Sequence, residues 1–134
     1  MSTVKTKGIH HVALKAKGYA AFEKMMHFYH DLLGMPIVRT WGEDDNSAAM
    51  LDTGNGGMLE IFANAPDELS MGALRHIAFD VDDPDACIEK VRKAGYTVTM
   101  EPKDIVIPSN PPYPARIAFC IGPVGEEVEF FCVK

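Results

Sequence analysis

The chain has 134 residues, nearly half of them hydrophobic, and a formal net charge of −6 at pH 7. This length suffices for one compact domain with a hydrophobic core, and the composition excludes a disordered chain. The acidic balance argues against nucleic acid and against an anionic membrane surface as partners, and no apolar run is long enough to span a bilayer. Cys87, Cys120 and Cys132 show no CxxC spacing. We expect free thiols in a reducing, cytoplasmic location.

The first half of the chain combines one helical pattern with several strand patterns. Alternating apolar residues and turn signals predict strands at residues 9–16, 37–41, 47–51 and 58–63. Between the first two strands, residues 19–33 carry apolar side chains at helical spacing, and Gly34 followed by Pro36 marks the end of this helix. The predicted order is therefore strand, helix, strand, strand, strand.

The second half repeats this order after a short linker at residues 64–72. Strand patterns occupy residues 74–81, 96–100, 115–121 and 126–133. Asp83 is a good N-cap, Pro84 suits the first helical position, and the helix should end near Ala94 before Gly95. The two halves therefore predict an internal repeat within a single domain, residues 1–134.

A proline-rich segment, residues 102–114, separates two strands of the second half. Its five prolines are unsuited to the middle of a sheet, so the sequence predicts a loop. Long loops are often functional, and this one could close over a cleft as a lid. A rigid surface connection without a functional role is an equally good interpretation.

The repeat carries polar residues as well as strands. His11 and His76 alternate with apolar neighbours, which places each histidine on the face opposite the core. Glu60 follows His11 by 49 positions and Glu129 follows His76 by 53, each in the last strand of its half. If the halves pack with pseudo-twofold symmetry, these four side chains converge in one cleft. Two imidazoles and two carboxylates suit a divalent transition metal and neutralise its charge.

Three other residues compete for these positions. His10 lies beside His11, but its parity places it with the core-facing residues of the strand. Glu127 shares the face of Glu129, which is preferred because it is followed, like Glu60, by an apolar residue and then phenylalanine. Glu126 falls on the other face, near the turn at residues 122–125.

Several segments together resemble the glyoxalase I / bleomycin resistance / extradiol dioxygenase superfamily, which has the vicinal oxygen chelate fold. They are His11-Val12-Ala13-Leu14, Phe-Tyr-His-Asp-Leu-Leu-Gly-Met at 28–35, Leu59-Glu60, His76-Ile77-Ala78-Phe79 and Gly-Pro-Val-Gly-Glu-Glu-Val-Glu at 122–129. The resemblance implies an α+β fold of two βαβββ modules, at about residues 8–63 and 73–134. Their curved mixed sheets would surround a cleft that holds one divalent metal ion.

The resemblance also implies an activity. His, Glu, His, Glu is the ligand set of glyoxalase I, whereas dioxygenases of the superfamily usually lack the acidic residue at the position of Glu60. The expected protein is a lactoylglutathione lyase-like metalloenzyme, with Zn, Ni, Co, Mn or Fe bound. It would act through an enediolate on a small vicinal-oxygen substrate such as a thiol–methylglyoxal hemithioacetal. The alternatives are a small-molecule binding or resistance protein and an epimerase similar to methylmalonyl-CoA epimerase.

By the same resemblance, Glu129 is the expected catalytic base, with Glu60 as second choice, and His11 and His76 are pure ligands. Superfamily members with four ligands often form sites between paired chains, so a homodimer is expected. Strand parity suggests aromatic residues that line the cleft, although core packing would explain them equally well: Phe62, Phe119, Phe131 and Tyr113.

Overall fold

A computed structural model describes Lys5, residues 7–68 and residues 72–134. The first four strands in this part of the chain are β1 His11–Lys15, β2 Ile37–Trp41, β3 Ala48–Gly54 and β4 Gly57–Phe62. The next four are β5 Ile77–Asp80, β6 Val98–Ile107, β7 Tyr113–Ile121 and β8 Glu127–Val133. Helix α1 spans Tyr19–Met26 and continues as a π-helical segment, His27–Leu32, while α2 spans Pro84–Lys93 and a 3₁₀ turn spans Asp44–Asn46. None of the described helices is long and apolar enough to cross a membrane.

The strands form two four-stranded sheets with the same topology. The orders are β1-β4-β3-β2 and β5-β8-β7-β6. In each sheet the first and last strands of the module pair in parallel, and the other pairs are antiparallel. A helix follows the first strand each time, as a crossover requires. The predicted α+β fold of two βαβββ modules is confirmed.

The proline-rich segment departs from the prediction. Residues 102–107 belong to β6, and Tyr113 already begins β7, so only residues 108–112 connect the two strands. The expectation of a long loop, and of a lid built from it, is wrong. Strand β6 lies at a sheet edge, and Pro102 falls where its register with β7 is irregular, between Met100 and Lys103. Proline is tolerated there because it interrupts no regular ladder of hydrogen bonds.

One core joins the two modules. The aromatic residues of the π-helical segment, Phe28 and Tyr29, are fully buried. Their rings contact the second module, with centroids 4.8 Å from Phe28 to Tyr96 and 6.1 Å from Tyr29 to Phe79. The helical side of both sheets is thereby buried, and the opposite faces stay available for a site.

Candidate functional site

The first sheet holds His11 and Glu60 side by side. Ala13 pairs with Glu60 across the parallel strands β1 and β4, and His11 lies two residues before Ala13 on the same face. His11 Nε2 is 3.5 Å from Glu60 Oε1. The histidine side chain is 40% exposed and the glutamate 13%, so the imidazole covers the carboxylate at the surface of the sheet. Val12 and Leu14 pack toward the core, as alternation predicted.

The second sheet repeats this arrangement. Ala78 pairs with Glu129 across β5 and β8, as Ala13 does with Glu60. His76, directly before β5, places its Nε2 3.2 Å from Glu129 Oε1. Burial raises the pKa of the Glu129 carboxyl; His76 opposes this shift and Glu127 adds to it. Glu129 is therefore a more basic carboxylate than an exposed glutamate.

The four residues form two His–Glu pairs, one on each sheet. In the part of the chain that the structure describes, no group of three or more His, Cys, Asp or Glu side chains is close enough to hold a metal ion. Each sheet therefore offers half of the predicted ligand set. Donor atoms bound about 2.0–2.1 Å from one metal ion are separated from each other by roughly 3 Å. The His–Glu spacings of 3.5 and 3.2 Å are compatible with a shared metal ion.

His10 contacts His11 directly. It precedes β1 and is exposed, so the expectation that it packs with the core-facing residues is wrong. Its Nδ1 lies 2.9 Å from Nδ1 of His11. A proton on His11 Nδ1, donated to His10, would leave Nε2 of His11 as the nitrogen that can bind a metal ion.

The predicted lining residues lie near the two pairs. Phe119 pairs with Glu129 across β7 and β8, and its ring meets His76 at a centroid distance of 5.5 Å. Phe131 follows two residues after Glu129 and contacts Tyr113 at 6.0 Å. Phe62 holds the equivalent place on the first sheet, two residues after Glu60. None of these four aromatic residues belongs to the described hydrophobic core.

Glu126 makes contacts that sequence reasoning missed. Its Oε2 accepts a hydrogen bond of 2.8 Å from the Tyr29 hydroxyl, and its Oε1 accepts one of 2.9 Å from the Val124 amide. Burial raises the pKa of Glu126, although these hydrogen bonds oppose the shift. A Cβ at Gly122 would overlap the Glu126 carboxylate, so this glycine makes room for it. The pair ties the first module to the β7–β8 turn, which leads to Glu129.

A cleft of about 770 Å³ lies between the modules. Its walls come from β1, the region before β5 and the β7–β8 turn, and they include Ala13, Lys15, Arg75, His76 and Glu126. Of the four predicted ligands only His76 lines this cleft, and none of the four predicted aromatic residues does. The cleft offers space for a small molecule, but it does not coincide with the two His–Glu pairs.

Solved structures share the fold across nearly the whole chain. TnmS3, an antibiotic binding protein from Streptomyces sp. CB03234, has a TM-score of 0.73 at 18% identity, over 98% of this chain and 100% of that one. A glyoxalase family protein from Enterococcus faecalis has a TM-score of 0.65 at 26% identity, over 93% of this chain and 97% of that one. A glyoxalase I mutant from Zea mays has a TM-score of 0.69 at 20% identity, over 92% of this chain and 43% of that one.

Sequence comparison gives the family. A search of curated proteins finds no match. The profile of the Glyoxalase/Bleomycin resistance protein/Dioxygenase superfamily, in contrast, matches residues 8–110, which is most of the chain. The chain belongs to this superfamily.

Proposed function

We propose that the protein is a metal-dependent, glyoxalase-like lyase or isomerase. Its substrate is a small molecule with two vicinal oxygens, such as a thiol–methylglyoxal hemithioacetal. The observation that carries the proposal is the repeated His–Glu pair, His11–Glu60 and His76–Glu129, at the same register in both sheets. Two imidazoles and two carboxylates suit one divalent ion of Zn, Ni, Co, Mn or Fe.

A homodimer completes this site. Each chain carries the two pairs on separate sheets, and no group of three ligands forms within its described residues. The His11–Glu60 pair of one protomer would therefore meet the His76–Glu129 pair of a second copy. Ile9 and Leu74, each two residues before a ligand histidine, are 72% and 64% exposed. Apolar side chains at such positions favour a surface covered by a partner.

Bound metal would polarise the two vicinal oxygens of the substrate and stabilise negative charge that develops on them. Glu129 is the proposed base: it takes a proton from the carbon next to the carbonyl and returns it to the neighbouring carbon. Its burial in β8 and its contact with His76 support this role, because they hold the carboxylate at one place on the face that would bind the substrate. Glu60 is the second choice, and His10 would hold His11 in the tautomer that binds metal.

The first test is elemental analysis of the purified protein, followed by an isomerase assay with hemithioacetals of methylglyoxal. His11→Ala and His76→Ala should each lower bound metal to the background of a chelated sample. His27→Ala is the matched control, because His27 is exposed on the helix and pairs with Asp31 at 3.1 Å. Full metal content in both ligand variants would refute the site. Sedimentation that finds a metal-bearing monomer would refute the dimer.

The second test separates the carboxylates. Glu129→Gln keeps the shape and one ligand oxygen but removes the basicity, so metal should be retained while the rate falls about 10²–10⁴-fold. Glu60→Gln should lower the rate less than Glu129→Gln does if Glu129 is the sole base. Equal decreases in rate would mean that the two carboxylates share the role of base. If Glu127→Gln loses activity and Glu129→Gln does not, Glu127 is the base.

The second candidate function is small-molecule binding without turnover, or resistance. The cleft of about 770 Å³ and the fold shared with an antibiotic binding protein favour it. Such a protein would bind a ligand in stoichiometric amounts and leave it unchanged. An epimerase of the same fold would use the same metal-binding residues to convert a different substrate. Product analysis by mass spectrometry and NMR separates these cases from lyase activity.

A further inference from the structure

The exposed faces of the two sheets match strand by strand, but their outer residues differ. On the first sheet, register places Ala13, Glu60, Met50 and Arg39 in one row across β1, β4, β3 and β2. Residues directly opposite each other share a face, so Arg39 lies on the face of Glu60. The row that contains Glu60 therefore ends, on the edge strand β2, with the cationic side chain of Arg39.

The second sheet has an apolar residue at the same place. Its corresponding row is Ala78, Glu129, Phe119 and Met100 across β5, β8, β7 and β6. Met100 thus takes the position that Arg39 has on the first sheet. A ligand held between these two faces would meet a positive charge on one side and an apolar surface on the other.

Arg39 has no ionic partner within the described residues of its own chain. It is exposed. The backbone positions of Arg39 and Glu60 are two strands apart, which corresponds to a distance of roughly 10 Å across the sheet. Trp41, two residues further along β2, packs against Phe62 with ring centroids 6.1 Å apart. Register therefore places Arg39 on the same face as the Trp41–Phe62 pair, and a ligand a few carbon atoms long would span the distance between Glu60 and Arg39.

We infer that Arg39 is a specificity-determining residue that binds a carboxylate of the substrate. The reacting oxygens would lie at the His11–Glu60 pair, and the carboxylate would reach along the row to the guanidinium. Arginine suits this task because its planar fork of N–H donors matches a carboxylate. The inference rests on the proposed function, and it narrows the substrate class to vicinal-oxygen compounds with a carboxylate several bonds away.

Trp41 provides the assay, because it is the single tryptophan of the chain and lies on the same face as Arg39. Metal-loaded protein is titrated with the monohydroxamate of glutaric acid and with the methyl ester of that compound, and quenching of Trp41 fluorescence is measured. A hydroxamate offers two vicinal oxygens, and the two probes differ in one negative charge. The wild-type protein should bind the acid about tenfold more tightly than the ester, or better.

The variants localise this preference. Arg39→Met introduces the residue that the second sheet carries, and it should abolish the preference by weakening binding of the acid. Arg39→Lys should retain part of it, because the charge remains without the fork. Lys93→Met, which removes an exposed cation from α2, should retain all of it.

Other outcomes overturn the inference. Equal affinities for the two probes in the wild-type protein, or a preference that survives in Arg39→Met, would exclude Arg39 as the carboxylate site. Dissociation of a dimer in Arg39→Met, seen by sedimentation, would instead assign Arg39 to the contact between protomers. If the protein holds no metal and binds neither probe, the proposed function fails, and this inference fails with it.

Discussion

Replacing Tyr29 with phenylalanine should destabilise the fold at neutral pH. The Tyr29 hydroxyl is fully buried and donates a 2.8 Å hydrogen bond to Glu126. Burial and the nearby Glu126 raise the pKa of Tyr29 well above its usual value, so the hydroxyl keeps its proton as a donor. A hydrogen bond to a charged group contributes about 1.5–3 kcal/mol. For a domain of this size, its loss corresponds to a decrease in Tm of about 5–10 °C.

Thermal unfolding followed by circular dichroism, at one fixed protein concentration, measures this effect. Tyr19→Phe is the matched control, because it makes the same chemical change at an exposed tyrosine and should alter stability by less than about 0.5 kcal/mol. If Tyr29→Phe is as stable as the wild-type protein, the Tyr29–Glu126 pair does not hold the modules together.

Three further predictions concern the same turn and a surface network. Because burial raises the pKa of Glu126 above its ordinary value of 4.5, the ionised carboxylate lowers the stability of the folded state as pH rises through that raised pKa. The Tm of Glu126→Gln, compared with the wild-type Tm, should therefore rise over the same pH range. Gly122→Ala should displace the Glu126 carboxylate and lower the Tm, and it should cost less in a Tyr29→Phe background, which a double-mutant cycle measures. Arg116→Met removes two hydrogen bonds to Asp85, of 2.7 and 2.9 Å, and its Tm deficit should shrink in 1 M salt.

The faces of the strands could be predicted because side chains alternate along a strand. This rule placed Val12 and Leu14 on the core side and His11 on the opposite face, and the structure agrees. The corresponding positions of Glu60 and Glu129 in the two halves of the sequence predicted the glutamates that accompany His11 and His76. Strand ends were less predictable: β5 begins at Ile77 rather than at residue 74, because hydrogen bonding to β8 begins at that residue.

Contacts between distant segments could not be predicted from the sequence. Glu126 meets Tyr29 across 97 positions, and no local pattern relates a turn residue to a helix of the other module. The face of Arg39 was equally hidden, because a register shift between Ile37 and Arg39 interrupts the alternation of β2. The wrong interpretation of residues 102–114 has a related cause: the sequence does not reveal which strand lies at a sheet edge.

The difference between the two faces bears on how a substrate would be oriented. Each His–Glu pair is held by one pair of parallel strands, β1 with β4 in the first module and β5 with β8 in the second. Both modules can therefore keep the His–Glu pair while residues elsewhere on the two sheets differ. At the next row, Lys15 on the first sheet corresponds to Asp80 on the second, since they pair with Phe62 and Phe131. A duplicated site with identical flanks would accept a ligand in two orientations. Opposite charges at equivalent positions favour one orientation, which the proposed transfer of a proton between two neighbouring carbons would require.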